Sequence, residues 1–273
     1  MITASVVLYN TRPEFVDQVI QSYSPSIERQ LYIIDNSPEK TNQYLDLDNI
    51  EYIHNKKNLG YGSAHNIGIQ KAVDCGSDYH IVLNPDISFE PSIIDELIEY
   101  ADKHEDVVYM LPKVLYPDGE LQDLCKLLPT PFDLFFRRFF PQMGIFKKWN
   151  DRYTLKQFGY DKIINPPCLS GCFMFMRTST LRDLDLRFDD RFFMYCEDFD
   201  LIRRLHRVGK TVFYPSISII HNHAHESYRN LHMLVLHIIS TIKYFNKYGW
   251  LIDKERKKMN QIICEEVCGY DSL

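Results

Sequence analysis

A carboxylate directly follows an apolar run in the N-terminal half of the chain. The stretch Tyr79–Leu83 predicts a buried strand, and Asn84-Pro85-Asp86 comes immediately after it. Ligands of open α/β sheets collect at the carboxyl ends of strands. Asp86 is therefore placed to hold a metal ion or a phosphate-bearing substrate. The same three residues are common turn formers, so a plain turn is the alternative on this motif alone.

A second carboxylate, Asp35, ends the predicted strand Leu31–Asp35. A parallel sheet gathers such strand ends around one crevice, so Asp35 and Asp86 are expected to lie at the same edge. An Asx turn or a helix cap is the structural alternative for Asp35.

A glycine-bearing loop, 58–66, opens a predicted helix. Gly60 and Gly62 would let the backbone approach a ligand closely, and a helix N-terminus attracts negative charge. The dinucleotide fingerprint is not met, because His65 stands where its third glycine is required and the loop follows a later strand. This excludes the usual pattern of a nicotinamide dehydrogenase.

Two adjacent carboxylates, Glu197 and Asp198, follow the aromatic run 192–195 and precede a helical pattern. Capping and a favourable helix dipole are one explanation. A general base in a partly desolvated cleft has the same signature.

The elements that must position these residues alternate between strand and helix in the first half, which predicts an α/β fold with a mostly parallel sheet. The second half is predicted to hold a buried strand over Gly171–Arg177. A helix with Leu201, Ile202, Leu205 and Val208 on its apolar side should follow, closed by Gly209. The predicted strands are Thr3–Leu8, Leu31–Asp35, Ile50–Ile53, Tyr79–Leu83 and Val107–Leu111, and the predicted helices are Pro13–Tyr23, His65–Val73 and Pro91–Lys103.

Composition narrows the class of protein. With 273 residues, 45% of them hydrophobic, the chain can bury a large core, and a net charge of −6 gives no basic footprint for nucleic acid. The first residues are typical of a strand rather than a secretory signal, and no stretch reaches the roughly 18 apolar residues of a membrane span. Seven cysteines without a disulfide pattern fit a reducing compartment. We expect a cytoplasmic protein, or one peripheral at the inner face of the cell membrane.

Five features occur in the order seen in a known family. Asp35, the Asn58-Leu59-Gly60 loop, Asn84-Pro85-Asp86, Gly171 with its strand, and Glu197-Asp198 before Leu201 and Arg204 together resemble the inverting family-two glycosyltransferases with the GT-A fold. The Asn-Pro-Asp form and the Glu-Asp-Phe-Asp-Leu run resemble the rhamnosyltransferase-type branch, which builds bacterial surface polysaccharides. The resemblance covers about residues 3–228.

The resemblance implies a GT-A catalytic domain over 1–228, with a nucleotide-sugar half (about 1–115) and an acceptor half (about 116–228), and a C-terminal helical extension over 229–273. Asp198 would be the catalytic base beside Glu197, and Asp35 would bind the pyrimidine base. Asp86 would hold Mg²⁺ or Mn²⁺ with His221 completing the metal shell. Asn84 departs from the family, which usually has a carboxylate there. The implied donor-binding residues are Tyr9, Asp35, Gly60, Asn66, Asn84 and Asp86.

The implied reaction transfers a sugar, L-rhamnose from dTDP-L-rhamnose, to a saccharide or polyprenyl-diphosphate-linked acceptor. A UDP-sugar donor and a non-catalytic nucleotide-binding protein are the alternatives. The histidines at 221, 223 and 225 would share a face on an extended strand, which leaves a zinc site open as a further alternative.

Two segments, 132–148 and 231–258, combine apolar or aromatic residues with basic ones. Such segments can lie on an anionic membrane. Packing on the core or in a homodimer is the alternative for 231–258.

Overall fold

One mixed sheet organises the chain. The computed structural model describes residues 1–41, 43–134, 144–222 and 231–268. Its strands are Ile2–Leu8 (β1), Arg29–Asp35 (β2), Ile50–His54 (β3), Tyr79–Leu83 (β4), Ile87–Ser88 (β5), Val107–Leu115 (β6), Phe173–Arg177 (β7) and Lys210–His221 (β8). Its helices are Pro13–Tyr23 (α1), Tyr61–Asp74 (α2), Ser92–Lys103 (α3), Gly144–Tyr153 (α4), Thr178–Asp183 (α5), Glu197–His206 (α6), Leu231–Tyr248 (α7) and Lys254–Cys268 (α8), with a 3₁₀ turn at Lys156–Phe158.

The strand order across the sheet is β3-β2-β1-β4-β7-β6-β8-β5. Strands β1 to β4 run parallel to one another, β7 is antiparallel to both β4 and β6, and β8 is parallel to β6. The carboxyl ends of β2, β4 and β8 therefore meet the amino end of β7 at one edge, which we call the catalytic edge. The predicted α/β class with a mostly parallel, GT-A-type sheet is confirmed.

Most predicted elements are present, with differences at their ends. Helix α2 begins at Tyr61, four residues before the predicted start at His65. Gly60 is the residue before the helix, and its positive φ (83°) allows the chain to enter the helix at Tyr61. Helix α6 ends at His206, so Val208 lies beyond it and is 48% exposed. The prediction that Val208 belongs to the apolar side of the helix was wrong, since the turn that Gly209 closes carries it away from the core.

A polar chain crosses the centre of the sheet. The hydroxyl of Ser5 lies 2.8 Å from His65 Nδ1 and 2.9 Å from His80 Nε2, while Thr3 Oγ1 lies 2.8 Å from His80 Nδ1. Burial lowers the pKa of His80 to about 3 and that of His65 well below its usual range, so both rings are neutral. The His65 ring packs edge-on against Tyr61 at 4.5 Å and so fixes the first turn of α2.

Buried charges join α6 to the two C-terminal helices. Arg203 is 1% exposed and makes two 2.8 Å hydrogen bonds to the carboxylate of Asp253 and one of 2.6 Å to Glu255. Its guanidinium also lies 4.0 Å from the centre of the Tyr248 ring. We call this set the Arg203 cluster.

Asp200, one turn earlier on α6, is fully buried. It accepts hydrogen bonds from Lys247, from the Tyr248 hydroxyl at 2.7 Å and from Arg204 at 2.9 Å. A buried carboxylate is tolerated only when it is paired in this way. Contacts from α7 and from the start of α8 therefore hold the buried face of helix α6.

The two segments predicted to contact a membrane are only partly described. Residues 135–143 and 223–230 lie outside the described residues. Before the first gap, the Phe132 ring packs against Trp149 of α4 at 5.0 Å. None of the described helices combines the length and apolar character needed to cross a bilayer.

Replacing Arg203 with Met should destabilise the fold. The substitution leaves Asp253, which is 3% exposed, without its partner, and breaking a buried pair from one side typically costs about 3–5 kcal/mol. Urea denaturation followed by circular dichroism measures the change. Arg182→Met is the matched control, because the Arg182–Asp183 pair is exposed and should contribute less than about 1 kcal/mol. Equal small losses in both variants would contradict a structural role for the Arg203 cluster.

Candidate functional site

Asp86 and His221 meet at the catalytic edge. The loop after β4 brings Asp86 next to the last residue of β8, and Asp86 Oδ1 lies 3.3 Å from His221 Nε2. The backbone fixes both segments, because the Asn222 N–H donates to the Asp86 carbonyl at 2.8 Å. The structure therefore brings together the two residues that the sequence assigned to a metal.

Gln122 determines which nitrogen of His221 carries the proton. Its side-chain nitrogen donates to the His221 carbonyl at 2.8 Å, so its oxygen must face His221 Nδ1, 3.0 Å away. An amide oxygen only accepts, so Nδ1 bears a hydrogen, and in the neutral form of the ring Nε2 is the nitrogen with the lone pair. This arrangement, a histidine oriented through its other nitrogen, is characteristic of metal ligands.

The pair fits a divalent cation. Asp86 Oδ1 and His221 Nε2 face each other at 3.3 Å, so a carboxylate oxygen and an imidazole nitrogen are close enough to contact one cation. Adjacent ligands of an octahedral ion are about 3 Å apart when each bond is 2.0–2.1 Å. No cluster of three His, Cys, Asp or Glu side chains suited to a metal occurs among the described residues. Mg²⁺ commonly takes one or two protein ligands and completes its shell with water and substrate phosphates.

The zinc alternative requires more protein ligands than this pair supplies. His223 and His225, which would have provided them, lie outside the described residues. Zinc binding by the three histidines therefore stays a prediction.

Asn84 connects the metal pair to the other half of the site. Its amide nitrogen lies 3.3 Å from His221 Nε2, and its oxygen accepts from the Tyr61 hydroxyl at 2.9 Å. The same hydroxyl lies 2.8 Å from the carbonyl of Gly171. Tyr61 thus bridges the end of β4 and the turn before β7.

Asp198 lies on the far side of that turn. The Gly171 N–H donates to Asp198 Oδ2 at 3.3 Å, and the Phe199 N–H donates to Oδ1 at 2.8 Å. A side chain at position 171 would have its Cβ only 2.9 Å from Asp198 Cβ, so a glycine is required for this approach. The carboxylate is held by backbone atoms and remains partly exposed.

Glu197 differs from its neighbour in burial. It is 5% exposed, and its Oε2 has no hydrogen-bond partner. Burial and the adjacent Asp198 charge raise the pKa of Glu197 well above its usual range. Burial also raises the pKa of Asp198, but Lys126 and the two backbone N–H groups counteract that rise. Within the pair, Glu197 therefore has the stronger tendency to hold a proton, and Asp198 the stronger tendency to be ionised.

The chain before this pair is under backbone strain. Tyr195 and Cys196 both adopt left-handed φ values, 69° and 64°, which cost non-glycine residues on the order of 1–3 kcal/mol each. Packing offsets the cost, because Cys196 is buried with Phe192, Tyr244 and Phe245. Such strain concentrates at functional sites.

Two predicted donor-binding residues hold this loop instead of facing open space. The Asn66 amide donates to the Phe188 carbonyl and accepts from the Phe188 N–H, both at 2.9 Å. Gly60 lies beneath the Phe193 carbonyl, which accepts from the Tyr61 N–H at 2.9 Å. The close approach expected at Gly60 is made by the protein's own backbone, and ligand binding by Gly60 and Asn66 stays a prediction.

Asp35 and Tyr9 lie at the opposite end of the catalytic edge. Asp35 is 3% exposed and accepts from the Tyr52 hydroxyl at 2.6 Å and the Ser37 N–H at 2.8 Å. Burial and that hydrogen bond raise the pKa of Tyr52 to about 12, so it remains a donor. Tyr9, just after β1, is exposed. The Asx-turn alternative for Asp35 is present, and each carboxylate oxygen retains further accepting capacity.

Sequence reasoning did not single out Tyr61, Gln122 or Lys126. Tyr61 stands between the two loop glycines, where its helix-initiating position was the available signal. Gln122 and Lys126 lie in a segment without periodicity, and Gln122 contacts a residue 99 positions away. No local pattern could have found them.

The mixed sheet and its flanking helices form a fold of the GT-A type. The profile of Glycosyl transferase family 2 matches residues 6–183, and the chain belongs to this family. It is of the rhamnosyltransferase-like kind. Enzymes of this family and fold generally use divalent cations.

Two curated relatives support that placement. The chain is 28% identical over 245 residues to the N-acetylglucosaminyl-diphospho-decaprenol L-rhamnosyltransferase of Mycobacterium tuberculosis H37Rv, covering 82% of this chain and 76% of that protein. It is 27% identical over 213 residues to the rhamnosyltransferase WbbL of Escherichia coli K12, covering 74% and 76%.

Solved structures confirm the fold. The crystal structure of Staphylococcus aureus TarS 1–349 superposes with a TM-score of 0.58 at 14% identity, covering 99% of this chain and 72% of that one. The complex of the same fragment with UDP-GlcNAc gives a TM-score of 0.58 at 12% identity, covering 98% and 73%.

Replacing Gly60 with Ala should destabilise the protein more than replacing Gly76. Both glycines have positive φ, 83° and 68°, but a Cβ at Gly60 would lie 2.1 Å from the Phe193 carbonyl oxygen, whereas one at Gly76 meets nothing within 4 Å. Backbone strain is common to both, on the order of 1 kcal/mol, and the clash adds about 1–3 kcal/mol only at Gly60. Thermal unfolding of the two variants measures the difference. Equal melting temperatures would show that the loop does not rest on Gly60.

Proposed function

We propose that this protein is an inverting, metal-dependent glycosyltransferase that moves L-rhamnose from dTDP-L-rhamnose to a polyprenyl-diphosphate-linked saccharide in bacterial surface polysaccharide synthesis. The rhamnosyl group and the lipid-linked acceptor are supported by the names of the two relatives. The inverting course is supported by a carboxylate, Asp198, that two backbone N–H groups hold at the proposed acceptor side of the site.

The observation that carries the proposal is a chain of polar contacts across the catalytic edge. It begins at the Asp86–His221 pair, continues through Asn84 and Tyr61, and ends where the Gly171 N–H holds Asp198. A leaving-group site and a proton acceptor are thereby fixed relative to each other, which direct displacement requires.

In the proposed reaction an acceptor hydroxyl attacks the anomeric carbon from the side opposite the diphosphate. As the new C–O bond forms, the bond to the diphosphate oxygen breaks, and Asp198 takes the hydroxyl proton. The anomeric configuration inverts, because the attacking and leaving oxygens occupy opposite faces. A divalent cation held by Asp86 and His221 would neutralise charge on the diphosphate.

The remaining residues position these groups. Asp35 would accept from the pyrimidine base. Gln122 orients His221 through Nδ1, and Tyr61 with Asn84 fixes the turn that holds Asp198. Burial favours the protonated form of Glu197, which limits negative charge beside Asp198.

The proposed domain division follows these roles. Residues 1–115 would bind the nucleotide sugar and 116–228 the acceptor, with 229–273 as a helical extension. The Arg203 cluster links that extension to the acceptor half. A homodimer and a location at the inner face of the membrane also stay predictions.

A panel of nucleotides and nucleotide sugars, with and without Mn²⁺, tests the donor assignment by thermal shift. At a hundredfold excess over its dissociation constant a ligand should add about 2.7 kcal/mol, which is roughly 5 °C or more for a chain of this size. We expect dTDP-L-rhamnose with Mn²⁺ to give the largest shift.

Asp86→Ala should lose the Mn²⁺-dependent part of that shift, and Asp35→Ala should weaken every nucleotide by about 1–3 kcal/mol. Asp183→Ala, at an exposed pair far from the site, is the control. A larger shift with UDP-sugars would replace the donor assignment, and a Mn²⁺ effect that survives in Asp86→Ala would remove Asp86 from the metal site.

Asp198→Asn should bind donor normally but lose transfer by about a hundredfold to ten-thousandfold, because an amide cannot take the proton. In the wild type, turnover should fall as the pH drops through the raised pKa of Asp198, since only the ionised form acts. Turnover against pH, with donor affinity measured in parallel, checks both statements.

Glu197→Gln is the matched control for this experiment. Burial favours the protonated form of Glu197, which the amide resembles, so transfer should stay within a few-fold of wild type. Near-normal turnover in Asp198→Asn would leave helix capping as its role, and a larger loss at Glu197 would reassign the base.

A further inference from the structure

Helix α7 presents an apolar row to solvent. Leu231, Val235, Ile239 and Ile242 are spaced four, four and three residues apart, which places them on one side of the helix. Their exposed fractions are 75%, 46%, 42% and 39%. We call this row the α7 face. The opposite side of the helix packs inward through its buried residues Ser240, Thr241, Tyr244 and Phe245.

The exposed apolar surface continues past the end of the helix. Leu251 and Ile252, in the turn between α7 and α8, are 88% and 82% exposed. Several exposed large apolar side chains within one short segment are typical of a site of contact with a partner or a membrane.

The charged residues on helix α7 itself are basic. Residues 231–252 contain no Asp or Glu, although the whole chain has a net charge of −6. Lys243 flanks the row and donates to the Arg191 carbonyl. Exposed Lys254, Lys257 and Lys258 follow the apolar turn, where Asp253 and Glu255 are paired with Arg203. In an isologous dimer this face would bring lysines from both copies together, which is unfavourable. The pattern instead complements an anionic surface that can also accept apolar side chains.

Helix α7 contacts the loop that precedes the proposed base. The Ser240 hydroxyl donates to the Met194 carbonyl at 2.7 Å, and the ring of His237 packs edge-on against Tyr195 at 5.3 Å. Met194 and Tyr195 lie three and two residues before Glu197, and Asp198 follows it. Helix α7 therefore borders the loop that delivers the proposed base.

We propose that the α7 face docks on an anionic lipid bilayer, which places Asp198 at the height of a headgroup-linked saccharide. The purpose of the contact rests on the proposed lipid-linked acceptor, but the contact itself does not. The apolar row enters the boundary between headgroups and acyl chains, and the flanking lysines meet lipid phosphates.

Co-sedimentation with vesicles tests the proposal. The full chain is mixed with phosphatidylethanolamine vesicles containing about a quarter phosphatidylglycerol, without donor or acceptor. We expect the wild type to sediment with these vesicles, and to do so several-fold less with phosphatidylcholine alone. Val235→Glu/Ile239→Glu should lose at least about fivefold of its bound fraction, and Val235→Ser/Ile239→Ser should lose a smaller share.

Ile27→Glu is the matched control, because Ile27 is 90% exposed and lies just before β2, at the edge opposite the catalytic one. It should sediment like the wild type. Wild-type protein that stays in the supernatant, or a double Glu variant that binds equally well, would overturn the proposal. So would a light-scattering result in which the double variant separates a dimer while vesicle binding is absent.

Nucleotide-dependent thermal shift in the same variants separates the two proposals. The double Glu variant should keep the wild-type shift, which shows that it folds and retains its donor site. If no nucleotide shifts the wild type while vesicle binding follows the α7 face, the proposed function fails and the membrane contact stands.

Discussion

The buried charges of helix α6 are the constraint on which the site depends. Arg203 and Asp200 are nearly or fully buried, and their charged and polar partners come from the C-terminal region. Asp253, just before α8, binds Arg203, and Lys247 and Tyr248 of α7 bind Asp200. The first turn of the same helix carries Glu197 and Asp198. Loss of the ionic contacts would free the helix that orients the carboxylate pair. Stability and the geometry of the site are therefore linked through one element.

The site also shows how two adjacent carboxylates acquire different properties. Burial raises the pKa of Glu197 well above its usual range, while two backbone N–H groups and Lys126 counteract the rise in the pKa of Asp198. The two carboxylates differ because their side chains point in different directions and are buried to different extents, and not because one is Glu and the other Asp. The strained residues Tyr195 and Cys196 turn the chain so that consecutive side chains meet such different surroundings.

The sequence predicted the parts of this structure that depend on local pattern. Strand ends at Asp35 and Asp86 follow from apolar runs, and His221 follows from the family resemblance. The Gln122–His221 contact and the Arg203 cluster join residues 99 and about 50 positions apart, and tertiary packing alone decides such contacts. The same reason explains Asn66, whose polar side chain looked available in sequence but is occupied by the Phe188 backbone.

The Arg203 cluster has a consequence for how the protein is made. Synthesis proceeds from the N-terminus, so the whole sheet and both carboxylates emerge before Asp253 and Glu255. Until those residues arrive, Arg203 has no carboxylate from α8 to pair with, and α6 lacks its final support. The order of translation thus delays the final support of α6 until Asp253 and Glu255 have been synthesised. In a nascent polypeptide the strand ends at the catalytic edge can form before Glu197 and Asp198 are held in place.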